Sequence, residues 1–108
     1  INFLATAKNR SVELEYYFGG NCMDRKEELM LEKEFLDSDI DFLFYTDDIK
    51  DRLMLIRQAM DEIEKTGYIQ NTADEYIDPH FWSDKRYEEI KEILKNAEKV
   101  YAELLSLE

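Results

Sequence analysis

Two regular stripes of apolar residues give the clearest structural signal in this sequence. The first stripe repeats at spacings of three and four residues and predicts an amphipathic helix over 47–66, capped by Thr46 and stopped by Gly67. The second stripe predicts a helix over 84–106, with Ser83 as its N-cap. The stripes consist of Ile49, Leu53, Ile56, Met60 and Ile63 in the first, and of Tyr87, Ile90, Leu94, Ala97, Tyr101 and Leu104 in the second.

The pattern at the start of the chain is compatible with two structures. Apolar residues from Phe3 to Phe18 recur at helical spacing and predict a first helix over 2–18. Residues 12–18 also alternate between apolar and polar types, which is typical of a strand. The apolar run 40–45 is likewise open between a short strand and the packed start of the next helix. If both segments are strands, 12–18 and 40–45 pair as a two-stranded antiparallel ribbon.

Capping residues predict two further helices. Asn21 is a suitable N-cap for a second main helix, with Asp24 in its first turn, where the helix dipole favours an anion. Residues 72–75 match the capping-box pattern and predict a short helix near 73–77, and Pro79 prevents that helix from continuing. These residues belong to the connection between the two striped helices, residues 67–82. The connection also carries aromatic residues that are predicted to lie against the core, namely Tyr68, Tyr76, Phe81 and Trp82.

These elements predict one mainly helical, all-α domain over residues 1–108, a compact fold of four main helices and one short extra helix. The alternative is an α+β fold in which the ribbon of 12–18 with 40–45 joins the helices. An apolar content of 44% excludes a disordered tail, and three glycines with one proline leave little room for the turns of an all-β fold.

The chain is strongly acidic, with 26 acidic and 14 basic residues and a net charge of −12. A field of this sign repels phosphate backbones and anionic lipids, so direct binding to nucleic acid or to a membrane is not expected. No apolar run approaches the roughly 18 residues that a membrane helix needs. Cys22 is the only cysteine, which fits a reducing compartment, and a cytoplasmic location is expected.

The acidic residues concentrate between positions 21 and 48. This segment has ten acids against three bases, a net −7 of the −12 carried by the whole chain. Carboxylates three or four residues apart on a helix lie roughly 5–6 Å from each other, and a face with this spacing imitates a row of phosphates. Such a face suits a basic protein surface, including one that normally holds nucleic acid. The candidate partner-binding residues are Glu27, Glu28, Glu32, Glu34, Asp37, Asp39, Asp41, Asp47 and Asp48.

A second pattern in this segment resembles a calcium loop. Asp37, Asp39 and Asp41 occupy positions 1, 3 and 5 of a 12-residue window that ends at Asp48. This spacing resembles the EF-hand loop, a family in which oxygen atoms at those positions bind calcium. The window departs from the family at position 6, where Phe42 replaces the glycine of the turn. Turn formation and helix capping account for the same aspartates, so no metal or other cofactor is predicted.

The sequence has no catalytic motif, and no catalytic residue is assigned. His80 is the only histidine, and no serine or cysteine motif accompanies it. The predicted function is a non-enzymatic acidic module that docks on a basic partner, with an inhibitor of a nucleic-acid-handling protein as its specific form. Phage-encoded inhibitors and immunity proteins are often of this size and charge. The alternatives are an oligomeric structural or assembly subunit and a metal-binding protein that uses the Asp-rich loop 37–48.

Overall fold

The computed structural model describes residues 24–108, and this part of the chain is mainly helical, as predicted. The first predicted helix over 2–18 lies outside the described residues, as do Asn21 and Cys22. The described elements are three α-helices, α1 (Arg25–Ile40), α2 (Ile49–Thr66) and α3 (Asp84–Ser106), and two 3₁₀ turns, Asp41–Leu43 and Pro79–Phe81.

Helix α3 is the central element, because it packs extensively against both α1 and α2. At one end of α1, Arg25 pairs with Glu103 near the end of α3. Just beyond the other end of α1, the ring of Phe42 contacts that of Trp82, which precedes α3. Helix α1 is therefore antiparallel to α3. The predicted stripe of α3 is entirely buried.

Helix α2 is also antiparallel to α3. Arg52 in its first turns reaches Tyr101, whereas Ile69, just after its end, bonds to Tyr87 near the start of α3. Because α1 and α2 are both antiparallel to α3, they run in the same direction. Residues 41–48 therefore have to carry the chain back along α3 before α2 begins.

Helices α1 and α2 begin at other positions than predicted, because different side chains provide their N-caps. Asp24, predicted in a first turn, is the N-cap of α1, and its carboxylate accepts the N–H of Glu27. Asp48 rather than Thr46 caps α2, because the Asp48 carboxylate accepts the N–H of Asp51. Two other boundaries were predicted correctly. Ser83 is the N-cap of α3, and Gly67 ends α2 with a positive φ of 82°.

Residues 40–45 do not form a strand. Their first residue ends α1, and the next three form the 3₁₀ turn Asp41–Leu43, so this half of the alternative ribbon is absent. The other half, 12–18, lies outside the described residues. Residues 41–48, which lead from α1 back to the start of α2, are called the return segment. Phe42 and Phe44 in this segment are buried, so the apolar character of 40–45 is explained by packing against the core.

The predicted short helix over 73–77 is wrong, and a backbone contact explains why. The N–H groups of Ala73 and Asp74 both point to the carbonyl of Phe42. The hydroxyl of Thr72 donates to the Asp74 carbonyl instead of capping a helix. The short helical element forms later, at Pro79–Phe81, where the Asp78 carboxylate accepts the N–H of the second residue.

One carboxylate, Asp37, lies in the interior of the described part, where all three helices meet. Its Oδ1 accepts the Tyr101 hydroxyl at 2.6 Å. Its Oδ2 accepts Lys33 Nζ and Arg52 Nη1, each at 2.8 Å. Arg52 also bonds to Asp47 in the return segment at 2.9 Å. This set of five side chains, the Asp37 network, joins α1, α2, α3 and the segment between α1 and α2.

We expect Asp37→Ala to lower the free energy of unfolding by about 3–5 kcal/mol, because it leaves two largely buried cations without their carboxylate. Urea unfolding at neutral pH measures the change. Asp39→Ala, on the exposed side of the same helix turn, is the matched control and should change stability by less than about 0.5 kcal/mol. Equal losses in the two variants would contradict a special role for the buried carboxylate.

Alkaline pH should destabilise the protein through Tyr101. Burial raises the pKa of this phenol well above its ordinary value of 10.0; the contact with Arg52 lowers the pKa in part, and the bond to Asp37 raises it again. Above pH 10 the unfolded chain therefore loses the phenolic proton while the folded protein keeps it, and the free energy of unfolding falls as pH rises. Tyr101→Phe should flatten this decline in urea titrations, whereas Tyr76→Phe, at an exposed site, should leave it unchanged.

Candidate functional site

The nine predicted partner-binding residues separate into three groups in the structure. Four carboxylates are exposed, and none of them is ion paired with another residue in the range 24–108. We call these four the outer carboxylates. The other acids are half-buried, interior or engaged at the start of α2. The outer carboxylates are Glu27, Glu34, Asp39 and Asp41.

Glu28 and Glu32 lie on the flank of α1 that faces α3. Arg25 binds Glu28 at 3.1 Å and Glu103 of α3 at 2.7 Å. Burial raises the pKa of Glu32, the carboxylates of Glu28 and Glu103 raise it further, and Arg25 lowers it. The pairs of Arg25 with Glu28 and Glu103 therefore stabilise the contact between α1 and α3, whereas the half-buried charge of Glu32 costs stability. Neither Glu28 nor Glu32 is fully available to a partner. Glu103 was not foreseen, because nothing in the local sequence links it to a residue 78 positions away.

Asp37 is removed from the predicted docking surface, because its carboxylate is saturated in the interior by Lys33, Arg52 and Tyr101. Asp47 is fully exposed, but one of its oxygens is bound by Arg52. Asp48 uses its carboxylate to cap α2. The carboxylates of these three aspartates are therefore engaged in bonds that stabilise the fold.

The ion pairs of the acidic segment remove acids and bases together, so its net charge is unchanged, but they engage two of its three bases with acids other than the outer carboxylates. Of the three bases in the acidic segment, Arg25 is engaged with Glu28 and Glu103, and Lys33 with Asp37. Only Lys26 has no ion-pair partner among the described residues. The cations close to the outer carboxylates are thus largely neutralised, and the outward field is negative.

The resemblance to an EF-hand loop does not extend to the structure. The window begins inside α1 and passes through a 3₁₀ turn, so its first aspartate, Asp37, faces the core rather than a shared cation position. In the part of the chain that the structure describes, no group of three or more His, Cys, Asp or Glu side chains is arranged to hold a metal ion.

The connection between α2 and α3 exposes aromatic residues that were predicted to pack inward. Tyr76 is 90% and Phe81 87% exposed, and Tyr68 is 43% exposed. Trp82 is half-buried against Phe42, as predicted for the stretch as a whole. The inward anchors are instead smaller residues, the fully buried Ile69 and the buried Pro79.

Comparison of this chain with protein-family models, with curated proteins and with solved structures finds no match. The candidate site is therefore defined by exposure, charge and contacts. None of the helices described for residues 24–108 is long and apolar enough to cross a membrane.

We expect Glu32→Gln to stabilise the protein at neutral pH by less than about 1 kcal/mol, because it removes a half-buried charge next to two other carboxylates. Since the folded-state pKa of Glu32 is raised above its ordinary 4.5, the gain should be complete at pH 7 and disappear below pH 4.5, where the side chain is protonated in both states. Urea unfolding across this range measures it. Glu34→Gln, at an outer carboxylate, should show no such dependence.

Proposed function

We propose that this protein is a non-enzymatic acidic module that docks on a basic surface of a partner protein through the outer carboxylates of α1 and the turn that follows it. The observation that carries the proposal is the separation of charges described above. Two of the three cations of the acidic segment, Arg25 and Lys33, are ion paired with other acids, while Glu27, Glu34, Asp39 and Asp41 remain exposed and unpaired within the described chain.

Electrostatics of this kind act mainly on the rate and selectivity of association. The Debye length is about 8 Å at physiological ionic strength, so a surface of several unpaired charges steers a cationic partner only at short range. Each exposed ion pair contributes roughly 0.2–1 kcal/mol. Several such pairs are therefore needed for a stable complex, and its affinity should decrease steeply with salt.

The spacing on α1 supports a more specific form, an inhibitor that occupies a nucleic-acid-binding site. Glu27 and Glu34 are seven residues apart on a continuous helix, which corresponds to about 10.5 Å along its axis. Seven residues are nearly two full turns, so the two carboxylates lie on the same face of α1 and form a short row of negative charge. Such a row is the feature that a phosphate-binding surface recognises.

A non-enzymatic role is supported by the state of the groups that could act chemically. Asp37 is the one buried carboxylate in residues 24–108, and both its oxygens accept hydrogen bonds from the protein itself. His80 lies on an exposed turn with Nδ1 3.0 Å from Asp78. Among residues 24–108, the hydrogen-bond partners of these two groups include no serine or cysteine side chain.

The proposal is tested by the double reversal Glu27→Lys/Glu34→Lys. The probe is a labelled peptide rich in lysine and arginine, titrated at low and at near-physiological ionic strength. We expect the double variant to bind about tenfold more weakly at low salt, because two attractive contacts become repulsive. The slope of affinity against salt concentration should decrease in parallel.

The matched control is Glu64→Lys/Glu92→Lys, which makes the same change in net charge at exposed positions of α2 and α3. It should weaken binding much less than the α1 reversal. If both double variants lose affinity equally, binding follows net charge alone and the assignment to the outer carboxylates fails. Circular dichroism establishes that both variants are folded.

A further inference from the structure

The connection between α2 and α3 is fixed to the rest of the protein along its length. The buried Ile69 donates its N–H to the Tyr87 hydroxyl, and that hydroxyl donates to the carbonyl of the buried Pro79 at 2.9 Å. Between these points, Ala73 donates its N–H to a carbonyl of the first 3₁₀ turn at 2.6 Å. These bonds fix the backbone of the connection at Ile69, Ala73 and Pro79, so the side chains that point outward leave from defined backbone positions.

The outward side chains include three large aromatic residues. Tyr68, Tyr76 and Phe81 are all exposed, and the Tyr68 ring lies 5.0 Å from the ring of His80. Single apolar residues are common on protein surfaces. Three exposed aromatic rings within one anchored connection are more than such scattered residues, and they indicate a contact surface. Tyrosine and phenylalanine are enriched at the centres of protein interfaces, where they supply contact area at a low entropic cost.

The same connection is uniformly acidic. No lysine or arginine occurs between Lys65 and Lys85. Carboxylates beside aromatic rings form a surface that suits arginine, because a guanidinium both stacks on a ring and binds a carboxylate through paired hydrogen bonds. The acids between the two flanking lysines are Asp74, Glu75, Asp78 and Asp84.

We propose that this connection is a second docking surface, and that its occupant is an arginine-containing segment of a partner protein. The inference deepens the proposed function, on which it rests for the basic character of the partner. Tyr68, Tyr76 and Phe81 supply apolar and cation–π contact, and the adjacent carboxylates supply charge. A second copy of this chain suits the surface less well, because a self-contact brings identical acidic connections together.

Trp82 provides a local reporter, because it is the only tryptophan in the chain and contacts Phe42 and Tyr87 at the base of the connection. The probe is an arginine-rich peptide, with a counterpart in which every arginine is replaced by glutamine. Titration of the wild-type protein should change Trp82 fluorescence with the arginine peptide only. Tyr76→Ser/Phe81→Ser should weaken binding about tenfold or more and abolish the fluorescence change.

The matched control is Tyr45→Ser, which removes a ring that is 76% exposed but lies outside the connection. It should bind the arginine peptide as the wild type does. If Tyr76→Ser/Phe81→Ser also binds normally while Glu27→Lys/Glu34→Lys is impaired, this inference is overturned and the proposed function stands. The reverse result supports this surface and removes α1 from the function.

Two further outcomes would also overturn the inference. If neither double variant weakens binding of the arginine peptide, both docking surfaces fail. If sedimentation shows that the wild type forms dimers that Tyr76→Ser/Phe81→Ser abolishes, and the peptide does not bind, the occupant is a second copy of the chain. Tyr76 and Phe81 are 90% and 87% exposed, so Tyr76→Ser/Phe81→Ser should retain the wild-type circular dichroism spectrum.

Discussion

The buried carboxylate of Asp37 is the constraint around which the described part of the chain is arranged. Helices α1 and α2 both pack on α3 and run in the same direction, so a tight turn cannot join them. The return segment therefore depends on side chains to define its course, and Arg52 provides this by binding Asp37 on one side and Asp47 with the Thr46 carbonyl on the other. Burying these charges costs desolvation energy that their attraction only partly offsets. Their main effect is to fix the relative positions of the helices.

This internal network also shapes the outside of the molecule. Each cation that turns inward to satisfy Asp37 is lost as a counter-charge on the surface. Lys33 and Arg52 are both largely buried, and Arg52 additionally lies 4.4 Å from the Phe44 ring centroid. The two cations of the network are balanced by Asp37 and Asp47, so the network is close to neutral, and neither cation is paired with an outer carboxylate. The stability of the fold and the proposed docking surface follow from the same placement of charges.

The sequence predicted the elements whose stabilisation is local and missed those that depend on distant partners. Helices α2 and α3 have one apolar stripe each, so spacing alone located them. Helix α1 is less regular, because Leu29 is buried whereas Leu31 lies outside the core on another side. Asp37 was assigned to the surface because its composition is that of an acidic turn. Two of its partners, Arg52 and Tyr101, are 15 and 64 residues away, and no local pattern indicates them.

The connection between α2 and α3 shows the same limit for function. Its aromatic content was visible in the sequence, but aromatic residues favour both cores and interfaces, and only burial distinguishes the two.

The two proposed surfaces would contribute differently to one complex. Unpaired carboxylates on α1 accelerate encounter with a cationic partner and lose strength with salt. Anchored rings act at contact distance and mainly slow dissociation, since truncations at interface centres change the off-rate more than the on-rate. A partner with a basic face and an arginine-containing segment would use both effects, and salt would then alter how quickly the complex forms more than how long it lasts.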